Sequence, residues 1–217
     1  LKRSKVSTIG SIFGKNPNEF VKLSKNMEKF GVDALELNMS CPHAKGYGLE
    51  IGSDCNLVQE ITSAVKKSTR IPIFVKLSSN TTDIVEIAKS AEKGKADGIV
   101  AINSIKAMKI DLELKMPILS NKIGGYSGLA IKPIGIRCVY EIAENVNIPI
   151  IGVGGITTGL DAIEYIMAGA SAVQIGGKEV KDKKVLVIED VTTSGVSVIK
   201  TINILRENHG KVDKAII

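Results

Sequence analysis

The sequence predicts an α/β fold, a TIM-barrel-like (β/α) ring, on three observations. Apolar runs of strand length alternate with stretches whose apolar residues recur at helical spacing, the pattern of repeated βα units around a parallel sheet. The runs are apolar almost throughout, as strands covered on both faces are. Polar or small residues gather where they end. Asn38, Cys41, Lys76, Asn103, Gly154 and Gly176 all fall at or just past such an end, where a barrel carries its chemistry.

In chain order, residues 6–13 read as a first strand stopped by Gly14. Asn16, Pro17 and Glu19 then fit N-cap, N1 and N3 of a helix with Phe20, Leu23, Met27 and Phe30 as one apolar stripe and Gly31 as its end. Residues 34–38 form the next strand and run into Met39-Ser40-Cys41-Pro42-His43. There an amide with donors and acceptors precedes a thiol that can lose its proton, and a proline stiffens the loop between strand and helix. A buried, inert cysteine after an ordinary strand is the alternative.

Leu57, Ile61 and Val65 place a helix over residues 53–67, and residues 71–77 are a strand, apolar except for Lys76. A lysine there needs an anion, supplied by a salt-bridge partner or by a ligand. A helix over 83–93 and a strand over 98–103 follow, the latter ending again in Asn. The polar connection over 104–130 contains Gly124-Gly125-Tyr126-Ser127-Gly128, and loops of that length commonly serve a site. A helix over 131–144 leads to a strand over 148–153, closed by Gly154-Gly155. Thr158 and Asp161 begin a helix ending at Gly169, and a sixth strand, over 172–175, is closed by Gly176-Gly177. Internal echoes support repeated units: Ile-Pro-Ile recurs at 71–73 and 148–150, and Gly31-Val32-Asp33-Ala34 resembles Lys95-Ala96-Asp97-Gly98 and Gly169-Ala170-Ser171-Ala172.

At 217 residues, 44% hydrophobic and 24% charged, the composition is that of a globular protein with a sizeable core. Aromatic residues make up only 4%, without Trp, which leaves little for a platform that stacks single-stranded nucleic acid. The net charge of +6 is spread along the chain, with Lys66-Lys67 and Lys183-Lys184 the only adjacent lysine pairs. That favours a solvated surface with mild attraction for anions. Cys41, Cys55 and Cys138 form neither a disulfide framework nor metal-ligand spacing, which fits a cytoplasmic compartment. No run approaches the roughly 18–20 apolar residues of a membrane span. The start, Leu1-Lys2-Arg3-Ser4, carries neither a signal region nor an initiator Met, so a chain cut from something longer is expected.

Five motifs carry a family resemblance. Glu-Leu-Asn-Met-Ser-Cys-Pro-His at 36–43, Val-Lys-Leu at 75–77, Ile-Asn-Ser at 102–104, Gly-Gly-Tyr-Ser-Gly at 124–128 with Ile-Lys-Pro at 131–133, and Gly-Val-Gly-Gly-Ile at 152–156 resemble, in order and spacing, class 1 dihydroorotate dehydrogenase. The NAD-linked type 1B is most similar, over residues 5–176. The resemblance implies a partial FMN-binding TIM barrel in residues 1–176, made of six dehydrogenase-type βα units, which oxidises dihydroorotate to orotate in pyrimidine biosynthesis.

By that resemblance Cys41 is the general base, and Asn38, Asn103 and Ser104 hydrogen-bond the substrate. Lys76 lies beside the flavin and stabilises the negative charge of its reduced form. Ser11, Asn38 and Ile102 match flavin contacts, and Gly128, Gly154, Gly155, Gly176 and Gly177 match positions where backbone approaches the cofactor or its phosphate. Each glycine alone reads equally as a turn. The chain departs from the family pattern at His43, where Asn is more usual, and at Gly177, where Thr is. Two family strands expected before Val6 and the helix after the eighth strand are missing, which implies an impaired site. The resemblance further implies an electron-transfer subunit with FAD and an iron-sulfur cluster, and a homo-oligomer.

Residues 177–217 resemble something else. The run Val185 to Ser197 is similar to the phosphoribosyl-diphosphate motif of orotate phosphoribosyltransferase, within a βαβ segment. Glu189 and Asp190 would take ribose hydroxyls or a magnesium-bound ligand, and Thr192, Thr193, Ser194 and Gly195 would offer N–H groups to a 5-phosphate. Read without the resemblance, this is an acidic strand end and a Thr-capped helix. Strands over 184–188 and 212–217 bring the total to eight. The linker over 177–183 spans roughly 23–25 Å, enough to recross a strand of about 20 Å and enter parallel. The tail is thus expected to fill the vacant barrel edge and bring residues 192–195 to the phosphate end of the flavin site. Phosphoribosyl-diphosphate binding by the tail, or a non-catalytic chimera, are the alternative functions.

Overall fold

A computed structural model describes residues 7–39 and 51–176, together with the backbone of two strands at 184–188 and 211–216. The strands of the main sheet are β1 (Ser7–Ile12), β2 (Ala34–Asn38), β3 (Ile73–Leu77) and β4 (Gly98–Ala101). Four short strands follow outside it: β5 (Ile105–Ala107), β6 (Ile110–Asp111), β7 (Met116–Pro117) and β8 (Gly124–Tyr126). The main sheet resumes with β9 (Ile150–Val153), β10 (Ala172–Gln174), β11 (Lys184–Ile188) and β12 (Lys211–Ile216). Its order is β10-β9-β4-β3-β2-β1-β12-β11, with every neighbouring pair parallel. The helices are α1 (Pro17–Phe30), α2 (Cys55–Ser68), α3 (Ile84–Lys93), α4 (Lys132–Ala143) and α5 (Gly159–Met167). No described helix is long and apolar enough to cross a membrane.

The tail strands sit beside β1. β12 pairs with it, Ser7 opposite Lys214, and β11 pairs with β12, so residues 184–188 enter parallel on the side that the first six βα units leave vacant. The two ends of the sheet, β10 and β11, approach within 8 Å between Cα atoms. The predicted proximity of residues 192–195 to a phosphate lies outside the described residues.

Helix boundaries follow local chemistry. Asn16 Oδ1 accepts from the Glu19 N–H at 3.0 Å, Pro17 opens α1, and Gly31 closes it at φ 83°. Asp54 and Asp83 cap α2 and α3 in the same way. Phe20, Leu23 and Met27 face the core, but Phe30, predicted as the fourth member of that stripe, is 71% exposed at the last helical residue. Two strands start later than the apolar runs suggest, at Ile73 and Ile150. Pro72 and Pro149 have no N–H to give the ladder. Their carbonyls still serve it, accepting from Leu35 and Ile99 at 2.9 Å each.

Alternation along the strands divides the interior. Leu35 and Leu37 of β2 and Ile73, Val75 and Leu77 of β3 join Phe20, Val58, Ile61 and Ile87 in the core between sheet and helices. Burying each of these stabilises the fold by about 1.5–3 kcal/mol. On the inner face Ile9, Ala34 and Phe74 form a separate apolar layer. The next inward positions are Ser11, Glu36 and Lys76, and the inside of the curl becomes polar there. Tyr165 of α5 is fully buried and lies against Gly135 and Gly152 so closely that a Cβ at either glycine would collide with its ring or hydroxyl.

The connection over 104–130 is not the featureless loop the composition suggests. β5 pairs antiparallel with β8, and β6 with β7 across the turn at 112–115. Much of this arm is apolar and exposed, including Met108, Leu112, Leu114, Met116 and Ile118.

Candidate active site

A cavity of about 680 Å³ opens at the C-terminal ends of β3, β4, β9 and β10, against the β5–β8 hairpin, a volume within the usual range for small-molecule sites. Of the residues expected to bind cofactor or substrate, Lys76, Ile102, Asn103, Ser104, Gly128, Gly154, Gly155 and Gly176 line it. Ser11 and Asn38 do not line it: Asn38 bonds Asn103, which does, whereas Ser11 bonds Glu36, which itself stands behind the lining residue Lys76. Asn103 Nδ2 donates to Asn38 Oδ1 at 3.1 Å, and Ser11 Oγ donates to Glu36 Oε1 at 3.0 Å. Cys41 and Gly177 lie outside the described residues, as do Glu189, Asp190, Thr192, Thr193, Ser194 and Gly195.

Lys76 is the only charged residue among the described residues that line the cavity. Its anion is Glu36, with Nζ 3.3 Å from Oε1. Glu36 also takes Gln174 Nε2 on its other oxygen at 3.0 Å. Sequence reasoning missed both of these residues, although each breaks an apolar strand by the criterion that singled out Lys76. Gln174 lines the cavity, and its Oε1 is buried without a partner among the described residues.

Glycine shapes the opposite wall. Gly155 has φ 66°, and a Cβ there would lie 2.8 Å from the Gly128 carbonyl oxygen; Gly154 has φ 126°. Only glycine holds such a turn without strain. Ser104 is fixed by its N–H on Asn103 Oδ1 at 2.8 Å and by its carbonyl, which accepts from Asn80 Nδ2 at 3.2 Å. A side chain at Gly125, on β8, would collide with Ser104 Oγ.

Behind the glycines, Thr158 is the N-cap of α5, and Asp161 at the third helical position closes the capping box. Its Oδ2 accepts from the N–H and hydroxyl of Thr157 and of Thr158 at 2.7–3.0 Å, and its Oδ1 accepts from Lys132 Nζ at 2.7 Å. The lysine, followed by the threonine donors, holds this carboxyl well below the usual carboxylate range. Asp161 first and Glu164 second raise Lys132 in turn. The N–H groups of Thr157 and Thr158 are thus already engaged. Tyr165 Oη donates to the Gly154 carbonyl at 2.8 Å, and burial pushes its hydroxyl far above the ordinary tyrosine range.

The dihydroorotate dehydrogenase family model matches residues 1–194. The chain belongs to the dihydroorotate dehydrogenase family. The match runs past Gly176, the expected limit of the likeness. Among curated relatives, the catalytic subunit of dihydroorotate dehydrogenase B (NAD(+)) from Thermoplasma acidophilum is 57% identical over 175 residues, 81% of this chain and 58% of that protein. The protein of the same name from Methanocella arvoryzae is 46% identical over 215 residues, 99% of this chain and 68% of that one. The chain thus spans about 58% of the length of the two Thermoplasma relatives it matches. The crystal structure of DHODH in complex with ferulenol from Eimeria tenella superposes with a TM-score of 0.60 at 24% identity, over 88% of this chain and 52% of that one. It establishes a shared α/β barrel-type fold.

Proposed function

We propose that this chain forms the catalytic site of an FMN-dependent dihydroorotate dehydrogenase, which oxidises dihydroorotate to orotate in pyrimidine biosynthesis. The observation that carries the reading is the cavity at the strand ends, where Lys76, Ile102 and Asn103 face Gly128, Gly154 and Gly155. The residues present fit FMN. A glycine turn that no Cβ could share lets backbone approach a phosphate, one lysine supplies charge, and the unpartnered Gln174 Oε1 suits a ring N–H. With the Thr157 and Thr158 N–H groups held by Asp161, phosphate contacts fall to the glycines and to the residues around Gly176.

FMN, when bound, supplies the acceptor for a hydride. The chain's own residues do the rest. Asn103, steadied by Asn38, and Ser104 hold the flat substrate in one orientation. Cys41 removes the proton from the adjacent carbon, for which a thiolate is the reactive form. Lys76 presents its ammonium to the negative charge that develops on reduction. The relatives are catalytic subunits by name, which supports a partner that takes the electrons onward, with FAD and an iron-sulfur cluster the expected carriers. The exposed apolar arm around Leu112 and Leu114 supports a homo-oligomer. Cysteine usage favours the cytoplasm. No described residue favours the phosphoribosyl-diphosphate reading of the tail, and it is not carried further.

The test is a titration of the purified protein with FMN, with and without orotate, followed by dihydroorotate oxidation with an artificial acceptor. Saturable quenching of flavin fluorescence that orotate shifts supports the reading, and loss of oxidation in Cys41→Ser supports the role of the thiol. No saturable binding overturns it.

A further inference from the structure

Glu36 is 1% exposed and does not line the cavity, yet three donors from three other strands converge on its carboxylate. Oε1 takes Ser11 Oγ from β1 and Lys76 Nζ from β3, and Oε2 takes Gln174 Nε2 from β10. Lys76 and Gln174 both line the cavity, so Glu36 touches whatever binds there only through them. An ammonium has three N–H groups. Turning one of them to Glu36 sets the direction of the other two. A carboxylate only accepts, so it also fixes which end of the Gln174 amide faces it and leaves Oε1 as the free acceptor. A buried carboxylate 3.3 Å from a mostly buried ammonium further means that the two charges cancel before any ligand arrives.

We propose that Glu36 is a positioning residue of this site, which aims Lys76 and Gln174 into the cavity and neutralises the charge of Lys76 there. Its consequence for the cofactor rests on the FMN reading above. A balanced lysine favours the anionic, reduced flavin less than a lone one does, so Glu36 holds down the preference of the site for reduced over oxidised FMN.

The test uses Glu36→Gln, which keeps the shape and removes the charge, with two readouts. The first needs no flavin: competitive acylation of the apo protein by acetic anhydride, comparing Lys76 with the exposed Lys106 by mass spectrometry. Release of Lys76 from its carboxylate is expected to raise its relative rate at least threefold. The second is the ratio of affinities for reduced and oxidised FMN, expected to rise at least about tenfold, or about 30 mV for a two-electron couple. Glu36→Asp, which keeps the charge, is expected to stay near wild type in both, and Glu36→Ala, read in the same two ways, serves as the test variant if Glu36→Gln does not fold. Unchanged acylation of Lys76 in a folded variant overturns the proposal, and so does an unchanged affinity ratio. A Lys76 released in the variant, with no FMN bound by the wild type, supports the positioning role and overturns the flavin reading instead.

Discussion

Gln174 Nε2 donates to Glu36 Oε2 at 3.0 Å, although β9, β4 and β3 lie between their strands in the sheet. In a flat sheet that separation is about 19 Å. The bond therefore crosses the inside of a strongly curled sheet and ties β10 to β2. Gln174→Leu is expected to lower stability by about 1–3 kcal/mol, the cost of a lost hydrogen bond to a buried charge. Urea unfolding checks this, and an unchanged midpoint would show that packing alone holds the curl.

Asn103 links the end of β4 to Asn38 through its side chain. Asn103→Ala is expected to weaken orotate binding about three- to tenfold, as the loss of a net 0.5–1.5 kcal/mol hydrogen bond implies. Stability should change little, because the Asn103 N–H still donates to the Leu77 carbonyl at 2.8 Å. A titration of the variant with orotate decides the matter.

Gly155→Ala puts a methyl 2.8 Å from the Gly128 oxygen at a φ of 66°. The left-handed backbone alone costs an alanine about 1–2 kcal/mol, and the contact adds to it. The variant is expected to melt lower and to bind FMN at least about tenfold more weakly. Normal FMN affinity would remove Gly155 from the cradle.

The Asp161 carboxyl is held below its ordinary value of 3.8, chiefly by Lys132. A depressed carboxylate contributes stability that is present above its unfolded value and lost as pH falls toward the folded one. Wild type is therefore expected to lose its advantage over Asp161→Asn as pH drops from 7 through 4 and below. Parallel curves from urea midpoints across that range would contradict it. Thr158→Ala, which removes the N-cap hydroxyl, is expected to cost about 1 kcal/mol at neutral pH.

Most of the scaffold was legible because it is written in local chemistry. Asn16, Pro17 and Gly31 bound one helix, and Thr158 with Asp161 began another. Lys76 was legible as a charge that an apolar strand cannot hold alone. Glu36 was not, although the same reasoning applies to it, because nothing near it in the chain marks it as a meeting point. Its three donors come from residues 25, 40 and 138 positions away, and only the curl assembles them. The hairpins within 104–130 were hidden for a different reason: their strands are two or three residues long, too short for a period to register.

The fit of Tyr165 against Gly135 and Gly152 has a consequence on the scale of descent rather than of one molecule. Neither glycine can gain even a methyl while the tyrosine stays, and a smaller residue at 165 would open a void where both glycines now receive it. A lineage passing through single substitutions finds each first step closed. These three positions should therefore drift as a linked set, with a change at one recorded in related sequences only beside an answering change at another.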